Sequence, residues 1–225
     1  MEQAFEDLSY MMEKRKVFEM LLDLMLLAFS DFDPNRENKV LQIFNNFPHR
    51  RNDIPYLFNV MMQAVLKVSD DNGKGLNDAL GPFYLQQFAN HRLGQFFTPK
   101  ELSILVNRLM AVTDTGKKEF YSDCGCGSGS LILSQAKEDP NFFFFGADLD
   151  FTCCKMAAIN MLINHLYGEI AYMNILTLKY YGSFTIGRHS LTREPSYLWS
   201  TKREESILFN PRKLSDDKQL NITII

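Results

Sequence analysis

Apolar positions recur at helical spacing through the first ninety residues. Phe5, Leu8, Met11 and Met12, then Val17, Met20, Leu21, Leu24 and Leu27, lie three or four residues apart, which lines one side of a helix. Asp31-Phe32-Asp33-Pro34-Asn35 breaks the pattern. A shorter helix is predicted from about Glu37 to Phe47, ending before Pro48. Another runs from Tyr56 to Val68, with Leu57, Val60, Met61, Ala64, Val65 and Val68 on one side. After a turn at Asp70-Asp71-Asn72-Gly73-Lys74-Gly75, a further helix is expected over Leu76–Ala89, with Gly81-Pro82 early in it. Met and Phe are abundant here and read as packing material. Residues 2 to about 90 therefore form a helical region.

Beyond residue 100 the texture alternates. Glu101–Met110 reads as helix, Phe120–Asp123 as strand and Ser130–Lys137 as helix. Phe142-Phe143-Phe144-Phe145-Gly146-Ala147-Asp148 is apolar on both faces, as buried parallel strands are. Thr152–Leu166 is a helix with Asp150 as its cap and Gly168 just past its end. Glu169–Met173 is a third strand. This alternation implies an α/β fold: a parallel, doubly wound, Rossmann-like sheet, in which ligands bind at the carboxyl ends of the strands. Asp123, Asp148 and Asn174 fall at those ends. Residues 180–205 read as polar and irregular, Ser206–Pro211 as a fourth strand ending in a turn, and Asn221–Ile225 as a short β-prone end. The expected division is a helical region over 1–92 and an α/β core over 93–225.

Composition narrows the function classes. In 225 residues, 46% hydrophobic content suffices for a sizeable core. A net charge of −3 shows no basic excess, so any contact with DNA must be local or supplied by a partner. The small basic clusters His49-Arg50-Arg51 and Arg188-His189 read by default as solvated loops. Arg188, Arg193, Lys202, Arg203, Arg212 and Lys213 are the candidate phosphate contacts. His165 ends a helix and suits its dipole. Cys124, Cys126, Cys153 and Cys154 match no common disulfide or zinc spacing, so no metal is expected and the compartment reads as reducing, cytoplasmic. The acidic start MEQAFEDL is unlike a signal peptide, and Met20–Phe29, interrupted by Asp23, is too short to span a membrane.

The chemistry concentrates at Asp123-Cys124-Gly125-Cys126-Gly127-Ser128-Gly129, a glycine-rich turn between a strand and a helix start. Three glycines let the backbone turn tightly and approach a ligand, and the helix behind offers free N–H groups. The loop lacks the Gly-Lys-Ser/Thr ending of a phosphate loop, and its G-x-G-x-G spacing departs from G-x-G-x-x-G. An acid ahead of the glycines repels a pyrophosphate but suits a cation. That favours S-adenosylmethionine, with its ammonium and sulfonium, over NAD. Asp148, 25 residues on, suits ribose hydroxyls, and the amide of Asn174 suits an adenine edge.

Gly94-Gln95-Phe96-Phe97-Thr98-Pro99 resembles the GQFYTP motif of N6-adenine DNA methyltransferases, among them the modification subunits of type I restriction–modification systems. The loop resembles that family's D-P-x-C-G-S-G at Asp123, Cys126, Gly127, Ser128 and Gly129. Gly146-Ala147-Asp148-Leu149-Asp150 resembles its ribose motif, Ala157-Ala158-Ile159-Asn160-Met161 its A-x-x-N helix, and Leu80-Gly81-Pro82-Phe83-Tyr84 its L-G-x-x-Y segment. The resemblance spans roughly residues 76–176. It implies S-adenosyl-L-methionine as cofactor, held by Phe97, Thr98, Pro99, Asp123, Gly125, Cys126, Gly127, Ser128, Gly129, Asp148, Leu149 and Asn174. It implies DNA as substrate and a specificity subunit, or a second copy, as partner.

The chain also departs from that pattern. Cys124 stands for Pro, and Asn174 for a usual Asp. No N-P-P-Y/F is present; Asn210-Pro211-Arg212-Lys213 comes nearest and lacks the second Pro and the aromatic. Base–aromatic stacking worth about 1–3 kcal/mol is thereby missing. The expectation is methyl transfer to the N6 of DNA adenine, with Asn210 and Pro211 at the target amine. The alternative is a non-catalytic S-adenosylmethionine-binding or assembly module. Methylation of RNA or protein is a third possibility, given the charge.

Overall fold

The computed structural model describes residues 5, 13–30, 33–88, 98, 102–106, 108, 120–189 and 192–210. Among the described residues the first long helices are α1 Lys14–Ala28, α2 Arg36–Asn46, α3 Ile54–Asp70 and α4 Gly81–Phe88. The α/β part follows as β1 Phe120–Cys124, α5 Ser130–Glu138, β2 Phe143–Asp148, α6 Phe151–Ile163 and β3 Tyr167–Asn174, then β4 Lys179–Arg188 and β5 Pro195–Ser200. The five strands form one sheet in the order β1-β2-β3-β4-β5. β1, β2 and β3 are parallel, with Asp123 opposite Gly146 and Asp148 opposite Tyr172.

The sheet departs from the expected parallel pattern at its far end. Residues 180–205, read as irregular, contain the β4–β5 hairpin, and both strands pair antiparallel. Its signal is a period of two: Phe184 and Ile186 in β4, Tyr197 and Trp199 in β5, all turned toward the helices. Glycines and basic residues between them masked that alternation. Gly182 is required because the Trp199 ring lies against it, leaving no room for a Cβ.

Three further boundaries differ. Residues 206–210 make a turn rather than a fourth strand. The buried Glu169 carboxylate accepts from the backbone N–H groups of Ile207 (2.7 Å) and Leu208 (3.2 Å), which a strand would commit to a ladder. The helix expected from Leu76 begins at Gly81, because Asp78 takes the N–H groups of Leu80 and Gly81 and so caps it. The left-handed residue after α6 is His165, at φ 56°, not Gly168. Gly168 instead lies inside β3, where a Cβ would collide with the Phe144 carbonyl oxygen. Asp150 caps α6 as expected, accepting from the N–H of Thr152 at 2.8 Å.

One hydrophobic cluster joins the N-terminal helices to the sheet. Phe18, Leu22 and Met25 of α1, Leu57 and Met61 of α3, and Phe83 and Tyr84 of α4 share it with Met156 and Ile159 of α6 and with Phe144 and Ile170 below. Polar ties cross the same boundary. The Asn164 Oδ1 accepts from the N–H of Leu76 at 2.7 Å, its Nδ2 donates to Ser69 Oγ at 3.0 Å, and Arg15 lies 3.7 Å from Asp150. Ser196 Oγ donates to the Phe29 carbonyl.

The tightest polar junction is buried among α4, the glycine loop and α6. Asp78 Oδ1 accepts from Leu80 and Gly81 and also from Asn160 Nδ2 at 2.9 Å, while Oδ2 accepts from the Ser128 hydroxyl. The same Asn160 amide donates to the Ser128 carbonyl at 2.9 Å. Gly81 belongs to this junction: a Cβ there would strike both Asp78 Oδ2 and Ser128 Oγ. Asn160 is fully buried, so replacing it by Ala removes two bonds and leaves their partners uncompensated. Asn160→Ala should lower unfolding stability by about 2–4 kcal/mol, read as a shift of the urea midpoint at unchanged slope.

Candidate functional site: the glycine loop and the strand ends

β1 delivers Asp123 to the carboxyl edge of the sheet, and the chain then turns through the glycines. Gly125 and Gly129 sit at φ 86° and 85°, a region that L side chains rarely enter. The turn is pinned from β2: the N–H groups of Gly125 and Cys126 both donate to the Ala147 carbonyl, at 2.7 and 3.0 Å. Cys126 is buried against Gly146, whose missing side chain makes room for its sulfur. A Cβ built on Gly125 meets nothing within 4 Å, so the outer side of the loop is open to a ligand.

Asp123 and Asp148 stand at the ends of adjacent strands. Burial, and secondarily the charge of Asp148, push the Asp123 carboxyl up to about 6. Asp148 is already used by the backbone: Oδ2 accepts from the N–H of Gly127 at 2.9 Å and Oδ1 from that of Asp150 at 2.8 Å. It therefore clamps the glycine loop to the β2–α6 turn, and each oxygen keeps a second lone pair. Leu149 is 56% exposed, an apolar side chain lying open beside that clamp. Asn174 ends β3. Its Oδ1 accepts from Leu176 and Thr177 N–H groups, both at 3.0 Å, an Asx turn that leaves the amide NH2 as the group for a ligand.

Thr98 is placed at this edge. It lines a narrow cleft of 30 Å³ with Asp123, Gly125, Gly127 and Leu131. Buried Ser103 bridges the two sides, 3.5 Å from the Thr98 carbonyl and 3.3 Å from Ser130 Oγ at the start of α5. Phe97, Pro99 and Pro211 lie outside the described residues. Asn210 is part of the 206–210 turn, its N–H bonded to Ser206 and Ile207 carbonyls. Neighbouring Leu208 and Phe209 pack on Ala147, Ala171 and Met173, the sheet face opposite the main cluster.

The remaining candidates are distributed. Burial pushes the Cys126, Cys153 and Cys154 thiols well up, Cys124 is exposed, and the described residues hold no cluster arranged for a metal. Among the candidate phosphate contacts, Arg188 lies over Tyr167, Arg203 over Phe209, and Lys202 pairs with Glu205 at 2.8 Å. Arg212 and Lys213 lie outside the described residues. No helix among the described residues is long and apolar enough to cross a membrane. Sequence reasoning missed Asp78, whose signal was a polar residue capping a helix with Pro82 in its first turn.

Comparison with known proteins agrees with the motif-bearing stretch. Residues 76–184 match the family model described as N-6 DNA methylase. A search of curated protein sequences gives no significant match. A solved structure similar to this chain is the methyltransferase subunit of a type I restriction–modification system from Streptococcus thermophilus. It shares 18% identity at a TM-score of 0.39, covering 72% of this chain and 39% of that one, so the chain spans well under half of that subunit's length. The stretch similar to the N-6 DNA methylase family runs from the capped start of α4 through the glycine loop to β4.

Proposed function

We propose that the glycine loop and the strand ends beside it bind S-adenosylmethionine and that the chain serves N6-adenine methylation of DNA. The observation that carries the reading is the half-buried Asp123 at the end of β1, beside an open glycine turn clamped by Asp148. A desolvated carboxylate is well suited to an ammonium group, since the pair's attraction strengthens as water is excluded. The residues fit the cofactor in parts. Asp123, in the narrow cleft that Thr98 also lines, suits the ammonium, Asp148 has lone pairs left for ribose hydroxyls, and exposed Leu149 with the Asn174 amide suits the adenine. When bound, the cofactor supplies an electrophilic methyl on its sulfonium.

The work of this chain's residues is positional. Asp123 holds the ammonium, the Gly127 amide fixes the acid that orients the ribose, and Thr98 walls the methionine end. Direct displacement at a methyl group needs no covalent enzyme intermediate, so alignment supplies most of the rate. The helical region over 1–92 would brace the core over 93–225 through the shared cluster around α6 and the Asp78 junction.

A second reading has its own observation. Asn210, the nearest counterpart of the target-amine residue, sits in a turn held by Glu169 rather than after a strand beside β1. β1 pairs only with β2 among the described residues. This favours a module that binds the cofactor and relies on a partner, such as a specificity subunit or a second copy, for target-base handling.

Two outcomes test these readings. Asp123 has a folded-state value of about 6, above the ordinary aspartate range, so the empty protein gains stability as pH falls through that value. Cofactor binding needs the ionised form and moves oppositely. Calorimetric affinity for S-adenosylmethionine should be greatest near pH 7, fall up to about tenfold per pH unit below 6, and fall again above about pH 8 as the cofactor's ammonium loses its proton, and Asp123→Asn should weaken it at least tenfold. No binding by the unaltered chain would remove both readings. Labelled methyl transfer to adenine-containing DNA separates them. Transfer abolished by Asn210→Ala supports catalysis by this chain, and absent transfer despite cofactor binding supports the module.

A further inference from the structure

A second cavity lies away from the glycine loop, between the N-terminal helices and the β4–β5 hairpin. Its volume is 330 Å³, within the range of small-ligand sites. Phe151, Phe184, Tyr197 and Trp199 wall it, with Gln42 and Asn46 at its rim. The rings converge: Phe184 and Trp199 centroids are 4.5 Å apart, Phe151 and Trp199 5.2 Å, and Phe151 stacks on Phe184 at 5.9 Å and 11°. Phe184 is buried, and Phe151, Tyr197 and Trp199 are half-buried where they line the cavity.

The polar groups select among occupants. Lys155 is 9% exposed, reaches Asp23 of α1 and lies 4.8 Å over the Phe151 ring. Lys39, which also lines the cavity, pairs with Asp33, so both lysine charges are matched and a free phosphate gains little there. A hydrocarbon chain would make no use of the amides at the rim, whereas a ligand with a polar edge engages them. Gln42 and Asn46 stand four residues apart on α2, hence on one face, and each amide both donates and accepts. An aromatic wall, together with edge groups of both polarities, matches a flat heterocycle that carries donors and acceptors on its rim.

We propose that this cavity binds a nucleobase against the Trp199 ring, read at its edge by Gln42 and Asn46. The base arrives either as a free nucleoside or from a single DNA strand. The site is independent of the cofactor reading, since none of its walls belongs to the glycine loop.

Trp199 is the chain's single tryptophan and reports directly from the cavity. The full chain is titrated with adenosine, and separately with a short single-stranded oligodeoxynucleotide, while indole emission is followed. Saturable quenching by either supports the site; adenosine alone identifies a free nucleoside, and the oligonucleotide alone a base presented on a strand. Quenching should persist in Asp123→Asn and weaken roughly three- to tenfold in Gln42→Ala, the loss of about one hydrogen bond. Both substituted positions lie outside the buried core, so the variants should fold. No saturable change with either probe overturns the proposal. So does quenching that vanishes in Asp123→Asn, or an affinity unmoved by both Gln42→Ala and Asn46→Ala.

Discussion

The buried carboxylate of Asp78 is the constraint on which the site's geometry rests. It caps α4, receives the Ser128 hydroxyl from the glycine loop and receives the Asn160 amide from α6. Burial pushes this carboxyl above its ordinary range, and the donors around it act to lower it again. Its desolvation is a cost that the four donors offset. The consequence is structural: three elements from distant parts of the sequence are fixed to one point. A glycine loop left to itself has many conformations, since its residues lose more freedom on ordering than any others. Here its far end is tied to Asp78 and Asn160, and its near end to Ala147 and Asp148.

The two strand-end acids differ because their surroundings differ. Asp148 accepts two backbone N–H groups, which satisfies it inside the protein. Asp123 is half-buried beside it, and both burial and that neighbouring charge raise its carboxyl. One acid thus shapes the loop, while the other is the group that the proposed reading pairs with a cation. Burial and the neighbouring charge of Asp148 together raise the Asp123 carboxyl to about 6.

Much of this was legible in the chain, and the reasons are specific. The run of phenylalanines over 142–145 could only be a buried strand, and Asp150 before Phe151-Thr152 could only be a cap that starts a helix. The glycine loop, and the place of Asp148 at a strand end, were legible because backbone conformation and strand order dictate them; the clamp of Asp148 on the Gly127 N–H was not. The β4–β5 hairpin was missed because its alternation is diluted by Gly182, Gly187 and a basic turn. Asp78 was missed because its partners lie 50 and 82 residues away, and no local pattern announces a junction of that span. Glu169 is similar: a charged residue in a buried strand becomes intelligible only once the 206–210 turn is seen resting on it.

The central claim is that Asp78 shapes the loop that binds the cofactor, so a change at a residue outside that loop must be felt by it. The most direct measurement is the calorimetric affinity of Asp78→Asn for S-adenosylmethionine, taken at a temperature where its circular dichroism matches that of the unaltered chain. The substitution keeps the side chain's size and replaces an acceptor oxygen with a donor. The account predicts affinity at least tenfold weaker with the fold retained. Unchanged affinity in the folded variant would contradict it.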